Sequence, residues 1–342
     1  MLKNKTEEFE KIEEKLGESQ ETEKKPSWIK MKPKEVEELV VKLAREGNSP
    51  AKIGLILRDK HGIPKVKLLG RKVEKILKST NVKYITEKVE IEKKITNKTK
   101  AILVVHNYGN ICDMEPIVKI AKKNNIYLIE DVAEAPFTKY KGKSAGTFGD
   151  LGCFSFQATK TITTGEGGAV ITDNPELEKK MRKIRSHGLS ARGRYWHDEI
   201  GYNFRLTNVQ AAIGVAQLEK LDIILQNKKR IYDLYKKNLS GIDGIAFQKI
   251  THGSEPIIWA VAVKINQEKF RVSRDEMIDK LLEKNIETRP GFYPFHAMPL
   301  YNTDVLPMAD EISKNIISLP SFAALKDEEI EYICSSLKSF MK

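Results

Sequence analysis

Apolar residues recur at helical spacing near the start of the chain. Within residues 34–45 they occupy the i, i+3, i+4 and i+7 positions of one helix face. These positions are Val36, Leu39, Val40 and Leu43. Gly47 is expected to end this helix, because glycine readily follows a helix C-terminus. Ser49 and Pro50 then predict the cap and first turn of a second helix that ends near Gly62. A third helix is predicted over residues 71–78.

The pattern changes after residue 84. Short apolar runs, most of them rich in β-branched residues, predict strands at residues 101–105, 126–129, 151–156 and 169–172, with a helix over residues 116–124. Strands that alternate with helices in this way favour a parallel sheet of an α/β fold. The chain is then mostly helical from residue 175 to 239. Beyond it, a strand at residues 257–263 and helices at 274–284 and 327–340 predict a smaller α+β domain.

Composition narrows the class of protein. The chain has 342 residues, 40% of them apolar and 31% charged, which is the composition of a globular protein of about two domains. No apolar stretch is long enough to span a membrane, and the N-terminal sequence lacks the apolar segment of a secretory signal. Three dispersed cysteines exclude a disulfide framework and a cysteine-only zinc site. We therefore expect a cytoplasmic protein with no metal site.

The basic charge is unevenly distributed. The net charge is +12, and residues 26–83 supply +9 of it, because this segment holds 15 basic and 6 acidic residues. Such a block could contact a nucleic-acid backbone, or it could be a solvated lysine-rich surface. Four segments are predicted: a charged, disordered arm (1–25), a small helical domain (26–83), a large α/β domain (84–240) and a C-terminal small domain (241–342).

Two residues in the α/β part could carry chemistry. Asp131 follows a strand that is expected to be parallel, and ligands bind beyond the carboxyl ends of such strands. Lys160 precedes a glycine-rich loop and could act as an amine nucleophile, if its surroundings deprotonate it. From spacing alone, a surface lysine and a helix-capping aspartate remain open alternatives.

Two resemblances to known families bear on these segments. Residues 27–67, which begin SWIKMKPKEVEELVVKLAREGNSP, resemble the N-terminal part of archaeal and eukaryotic small-subunit ribosomal protein fifteen. This resemblance implies a helical segment, with RNA as a partner of residues 26–83. Residues 85–342 contain IEDVAEA, GCFSFQATKTITTGEGG and RYWHDEIGYNFRLTN. They resemble the DegT/DnrJ/StrS sugar aminotransferases, in particular those of the perosamine synthase type.

The second resemblance implies a fold, a cofactor and substrates. The fold would be that of the aspartate-aminotransferase-like (fold type I) transferases that use pyridoxal 5'-phosphate. Its large domain would be incomplete here and followed by the small α+β domain. The reaction would move an amino group, from glutamate, to a keto nucleotide sugar such as GDP-4-keto-6-deoxymannose. The active form would be a homodimer.

The resemblance also assigns residue roles. Lys160 would bond covalently to the cofactor and then transfer a proton, and Asp131 would pair with the pyridinium nitrogen. Glu134 would lie near the cofactor ring, Ser155 would bind its phosphate, and Asn203 would reach the phosphate in the neighbouring subunit. The residues expected near the sugar nucleotide are His187, Arg192, Tyr195, Trp196, His197, Arg289 and His296.

The first third of the family's sequence has no match in residues 1–84. That third would supply a Gly-Thr turn for the cofactor phosphate, an aromatic residue over the ring and the first strands of the sheet. We therefore expect an exposed sheet edge and reduced or absent activity, with a junction near residues 81–84. Two other hypotheses stay open: a ribosome-associated RNA-binding segment fused to an inactive aminotransferase remnant, and a hybrid that folds poorly.

Overall fold

The computed structural model describes residues 32–45, 50–61, 63, 87–192, 195–300 and 306–342. They divide into two compact units, one within residues 1–96 and the other within residues 97–342. The predicted arm (1–25), the predicted helix at 71–78 and the expected junction near 81–84 lie outside the described residues. No helix in the described part of the chain is both long and apolar enough to cross a membrane.

The first unit contains three described helices: α1 (Pro33–Arg45), α2 (Pro50–His61) and α3 (Glu87–Lys94). As its amphipathic pattern predicts, α1 packs its apolar face against α2. The buried residues of this small core are Val36, Val40, Leu43, Ala44, Ile53, Leu57 and Ile63. The two helices predicted from the sequence over this range are thus confirmed to within a residue or two.

The second unit begins with an α/β layer. Its sheet has the order β1-β2-β5-β6, formed by β1 (Ala101–Val105), β2 (Tyr127–Asp131), β5 (Leu151–Ser155) and β6 (Gly168–Ile171). Helix α4 (Met114–Lys123) connects β1 to β2 and buries its apolar face. A small three-stranded sheet, order β4-β3-β8, is formed by β3 (Lys139–Tyr140), β4 (Lys143–Ser144) and β8 (Ser254–Glu255).

The main sheet is mixed rather than wholly parallel. β1, β2 and β5 run parallel, whereas β6 runs antiparallel to β5. The sequence prediction was wrong on this point, because a parallel neighbour needs a crossover connection and the segment between β5 and β6 contains no helix. Among the described residues, β1 pairs with β2 alone, so its other side has no strand partner there. The expected exposed edge is therefore present.

Three helices follow the sheet: α5 (Pro175–Arg185), α6 (Asn208–Glu219) and α7 (Leu221–Leu239). Thr207 and Gln210 form a capping box at the start of α6. The predicted helical stretch is interrupted by a loop over residues 186–207, which doubles back on itself through isolated bridges between Ser186 and Asn203 and between Leu189 and His197.

The C-terminal part is the predicted α+β domain. An antiparallel sheet of order β10-β11-β9-β7 is formed by β7 (Ile245–Phe247), β9 (Val261–Ile265), β10 (Arg289–Pro290) and β11 (Ile316–Leu319). Helices α8 (Arg274–Leu282), α9 (Pro307–Asn315) and α10 (Asp327–Lys338) accompany it. The larger hydrophobic core of the chain lies between this sheet, α7, α8 and α10.

One strand of this domain begins later than predicted. The sequence favoured a strand from residue 257, but β9 starts at Val261. The backbone N–H of Ile257 donates to Thr138 Oγ1, and the N–H of Trp259 donates to the Tyr108 carbonyl oxygen. These donors are used in contacts with the α/β layer, so they are not available to a strand ladder.

Candidate active site

The carboxyl ends of β2 and β5 carry the predicted site residues. β2 ends at Asp131, which pairs in parallel register with Cys153 of β5, and β5 ends two residues later at Ser155. Asp131 Oδ1 accepts a hydrogen bond of 3.0 Å from the Ala133 N–H, so the carboxylate also caps the turn that follows β2. Ser155 Oγ accepts from the Gln157 N–H at 3.3 Å. Parallel pairing therefore places both residues at one edge of the sheet.

Lys160 lies on a turn just beyond β5. Its N–H donates to the Gln157 carbonyl oxygen at 2.9 Å, and the Gln157 side chain accepts from the Thr159 N–H and hydroxyl. The Lys160 side chain is half-buried, with its Nζ 4.3 Å from the ring centroid of Trp259. The glutamine thus fixes the backbone of the turn that presents the lysine.

Glu134 interacts electrostatically with both Lys160 and Asp131. It is buried, and it accepts a hydrogen bond of 2.7 Å from the Tyr108 N–H. Burial raises the pKa of the Glu134 carboxyl, and the Asp131 charge adds to the rise, whereas the Tyr108 N–H and the Lys160 ammonium oppose it. Lys160, Asp131 and Glu134 are therefore brought together, and the roles expected for them stay predictions.

Behind this cluster lies a buried acid–base pair. Glu130 and His106 are fully buried, with Glu130 Oε2 at 3.1 Å from His106 Nε2. Glu130 also accepts from the N–H groups of Gly146, Phe148 and Gly149. These bonds hold the loop before β5 against β2, so Glu130 and His106 have a structural role beside the site.

An open cleft of about 1070 Å³ reaches from Lys160 to the C-terminal domain. Of the predicted site residues, Lys160 and Arg289 line it. Its wall also includes three residues that the sequence did not single out, Tyr108, Lys228 and Trp259. No periodicity or motif marks them, since they are brought to the cleft by contacts between distant parts of the chain.

The other residues expected near the sugar nucleotide, and Asn203, which is expected at the partner's cofactor phosphate, lie elsewhere. His187, Arg192, Tyr195, Trp196, His197 and Asn203 all belong to the 186–207 loop. Within that loop, His197 Nδ1 bonds to the His187 carbonyl oxygen at 2.7 Å, and the Arg192 guanidinium lies 5.7 Å from the Trp196 ring centroid. Tyr195 and Asn203 are exposed. His296 bonds to Asp310 at 3.0 Å on the C-terminal domain. Their contacts are local, and their roles remain predictions.

The mixed sheet, the small antiparallel domain and a lysine beyond the carboxyl ends of parallel strands define a fold type I transferase. Residues 77–338 match the DegT/DnrJ/EryC1/StrS aminotransferase family, and the chain belongs to this family. Its members are pyridoxal-phosphate-dependent, so the expected cofactor class is confirmed at the level of the family. A second family, the ribosomal S13/S15 N-terminal domain, matches residues 19–63.

Individual relatives agree with this assignment. The GDP-perosamine synthase of Escherichia coli O157:H7 is 46% identical over 253 residues, which cover 73% of this chain and 68% of that protein. The structure of Helicobacter pylori PseC, an aminotransferase of pseudaminic acid biosynthesis, superposes with a TM-score of 0.70 at 26% identity, covering 79% of this chain and 76% of PseC. The E. coli GDP-4-keto-6-deoxy-D-mannose-3-dehydratase, determined with bound hydrated PLP, gives a TM-score of 0.67 at 25% identity, covering 73% and 70%.

Proposed function

We propose that this chain carries the catalytic part of a nucleotide-sugar aminotransferase that uses pyridoxal 5'-phosphate. The observation that supports this most directly is the grouping of Lys160, Asp131 and Glu134 beyond two parallel strands. The amino acceptor would be a keto nucleotide sugar, with GDP-4-keto-6-deoxymannose as the first candidate because of the similarity to GDP-perosamine synthases. Glutamate would be the amino donor.

The side chains fit the proposed cofactor chemically. Lys160 offers an amine for its aldehyde, Asp131 a carboxylate for its ring nitrogen, and Ser155 a hydroxyl for its phosphate. When bound, pyridoxal phosphate supplies an electron sink that stabilises negative charge on the carbon next to the transferred amino group. Asp131 would sustain this effect by keeping the ring nitrogen protonated.

The remaining steps fall to the chain's own residues. Lys160 Nζ would accept a proton from the donor's carbon and deliver it on the opposite side of the transferred nitrogen, acting as the general base and acid. Glu134 would orient the ring hydroxyl through a carboxyl that is already fixed by the Tyr108 N–H. Arg289, at the rim of the cleft, would contact the anionic part of a substrate.

We also propose that turnover by the chain alone is reduced or absent. Residues 19–63 match the ribosomal S13/S15 N-terminal domain, and in this proposal residues 1–84 would stand where the family has its first third. This segment lacks the Gly-Thr turn that would hold the cofactor phosphate at a helix N-terminus. Holding the cofactor would then depend more heavily on the covalent bond to Lys160.

A homodimer is part of the proposal. Within the described part of the chain, helix α6 has no fully buried side chain, and several of its apolar side chains are exposed. They are Val209, Ile213, Val215 and Leu218. An apolar surface of this kind is typical of a subunit interface. Asn203, on the exposed loop before α6, would act at the partner's site.

The test is chemical trapping of the cofactor. The full chain is incubated with pyridoxal phosphate, reduced with borohydride, and mapped by peptide mass spectrometry. A stoichiometric adduct on Lys160 that is lost in Lys160→Ala, but kept in the matched variant Lys139→Ala at an exposed lysine, supports the proposal. Substoichiometric labelling scattered over many lysines contradicts it. Amino transfer to GDP-4-keto-6-deoxymannose then measures the activity that remains.

A second candidate function rests on the ribosomal match and the basic charge of residues 26–83. If this segment binds RNA, affinity will fall steeply with salt, and the triple variant Lys34→Gln, Lys42→Gln, Lys60→Gln will bind more weakly, with a smaller salt dependence. Exposed lysines of the second unit, mutated in equal number, are the control. Binding that is absent, or independent of salt, excludes this function.

A further inference from the structure

The Trp259 ring lies beside the Lys160 amine, and three hydrogen bonds hold Trp259 itself. Its ring centroid lies 4.3 Å from Lys160 Nζ. Its indole Nε1–H donates to the Thr159 carbonyl oxygen at 2.7 Å, one residue before the lysine. Its backbone N–H donates to the Tyr108 carbonyl oxygen at 3.0 Å. The ring orientation is therefore tied directly to the turn that carries Lys160.

The Tyr108 contact extends this arrangement to Glu134. Tyr108 has a positive φ of 61°, and its own N–H is the donor to the Glu134 carboxylate. The neighbouring Gly109 allows the close approach of the Trp259 segment, since a Cβ at this position would lie 2.1 Å from the Ile257 carbonyl oxygen. The segment of residues 257–259 thus contacts both the lysine side and the glutamate side of the candidate site.

The third point of attachment is Lys228, on helix α7. Its side chain is buried, and its Nζ donates to the Trp259 carbonyl oxygen at 2.8 Å and to the Ser321 carbonyl oxygen at 2.7 Å. Burial lowers the pKa of Lys228 to about 8. A buried ammonium costs free energy in this way, and its bonds to two carbonyl oxygens fix the backbones of Trp259 and Ser321 to helix α7.

We propose that Trp259 is a positioning residue for Lys160: its indole face determines where the Lys160 amine lies, and Lys228 holds that face in place. The consequence for catalysis rests on the proposed aminotransferase function, whereas the positioning itself does not require the cofactor. A cation over an aromatic face at an exposed or half-buried site is stabilised by about 0.5 to 1 kcal/mol. Removing the face should therefore change the reactivity of Lys160 by about 2- to 5-fold.

The first experiment uses no cofactor. The full chain is acetylated with a limiting amount of acetic anhydride at pH 8, and labelling of Lys160 relative to Lys139 is quantified by mass spectrometry. In Trp259→Leu, relative labelling of Lys160 is expected to rise about 2- to 5-fold, because the ammonium loses its aromatic partner. Trp259→Phe keeps an aromatic face and should restore most of the wild-type value. Lys228→Met should give an intermediate rise.

A matched control tests whether the effect is local. Phe148→Leu removes a ring whose centroid lies 4.9 Å from Lys143 Nζ. This variant should raise the labelling of Lys143 and leave that of Lys160 unchanged. If Trp259→Leu leaves the relative labelling of Lys160 unchanged while its thermal unfolding matches wild type, the positioning role is wrong. If Trp259→Leu unfolds at a lower temperature, the Lys228→Met variant decides instead. Unchanged relative labelling of Lys160 in Lys228→Met would then show that the positioning role is wrong.

The second experiment separates this inference from the proposed function. Borohydride trapping with pyridoxal phosphate is repeated for the same variants, and the fraction of adduct on Lys160 is measured. Adduct on Lys160 in wild type, with more adduct on other lysines in Trp259→Leu, supports both proposals. Altered acetylation without any specific adduct keeps the positioning role and rejects the cofactor site. A specific adduct on Lys160 in wild type, with acetylation and trapping unaltered in Trp259→Leu, keeps the cofactor site and rejects the positioning role.

Discussion

Glu130 offers the sharpest test of how the site is supported. This fully buried carboxylate accepts four hydrogen bonds: 2.6 and 2.8 Å from the N–H groups of Phe148 and Gly149, 2.9 Å from that of Gly146, and 3.1 Å from His106 Nε2. Each oxygen accepts two of them. In Glu130→Gln an amide NH₂ replaces one oxygen, so that two donors lose their acceptor and meet another donor.

The magnitude follows from this count. A hydrogen bond to a charged group contributes about 1.5 to 3 kcal/mol, so the loss of two should lower the free energy of unfolding by about 3 to 6 kcal/mol. Hydrogen bonds from His106, Gly146 and Gly149 also hold the pKa of Glu130 below its usual value, against the effect of burial. The stability contributed by the ionised carboxylate is therefore present above the unfolded-state pKa near 4.5 and is lost as the pH falls through the lower folded-state pKa.

The assay is urea unfolding at pH 7, followed by far-UV circular dichroism. Glu115→Gln is the matched control, since Glu115 is half exposed and pairs with Lys141 at 2.6 Å on the surface. We expect no measurable change in the urea midpoint of this variant, because solvent screens an exposed ion pair. A Glu130→Gln protein that unfolds within about 1 kcal/mol of wild type would refute the reasoning, because the buried bonds would then carry no more than a surface pair.

Three further outcomes are expected. The free energy of unfolding of wild type should rise by up to about 3 kcal/mol between pH 8 and 10.5, because buried Lys228 is then neutral in the folded protein but still protonated in the unfolded chain. This rise should be absent from urea titrations of Lys228→Met. Thr207→Ala removes the α6 capping box and should lower the free energy of unfolding by about 1 kcal/mol; an unchanged urea midpoint would contradict this. Gly188→Ala places a Cβ 1.9 Å from the Glu199 carbonyl oxygen at a positive φ of 67°, so faster hydrogen exchange is expected across residues 186–207, and unchanged exchange would contradict the strain.

Local patterns were sufficient for most elements. The helix predicted at residues 34–45 is observed as α1, and the helix predicted at 327–340 as α10. Apolar residues at helical spacing can all be buried on one side only if the segment is a helix. The strands at 101–105 and 151–156 likewise match β1 and β5 closely. The direction of β6 was missed, since it depends on how the loop after β5 turns back.

For the candidate site, sequence patterns identified the residues that sit on motifs. Asp131 and Lys160 follow strands, and the grouping with Glu134 results from parallel pairing of β2 and β5. Sequence patterns could not identify Trp259 or Lys228. Trp259 contacts Thr159 across 100 residues of chain, and Lys228 reaches Ser321 across 93. Such contacts leave no periodic trace, because each involves one side chain rather than a repeating face.

The sequence by itself thus determined most secondary elements, the family and the residue types at the candidate site, since these depend on short windows of the chain. The tertiary structure alone decided which neighbours those side chains receive. It placed an indole ring against the Lys160 amine, buried Lys228 behind that ring, and closed four donors around Glu130. The physical reason is that hydrogen bonding and burial in these places join segments distant in sequence, and their geometry exists only once the chain has folded.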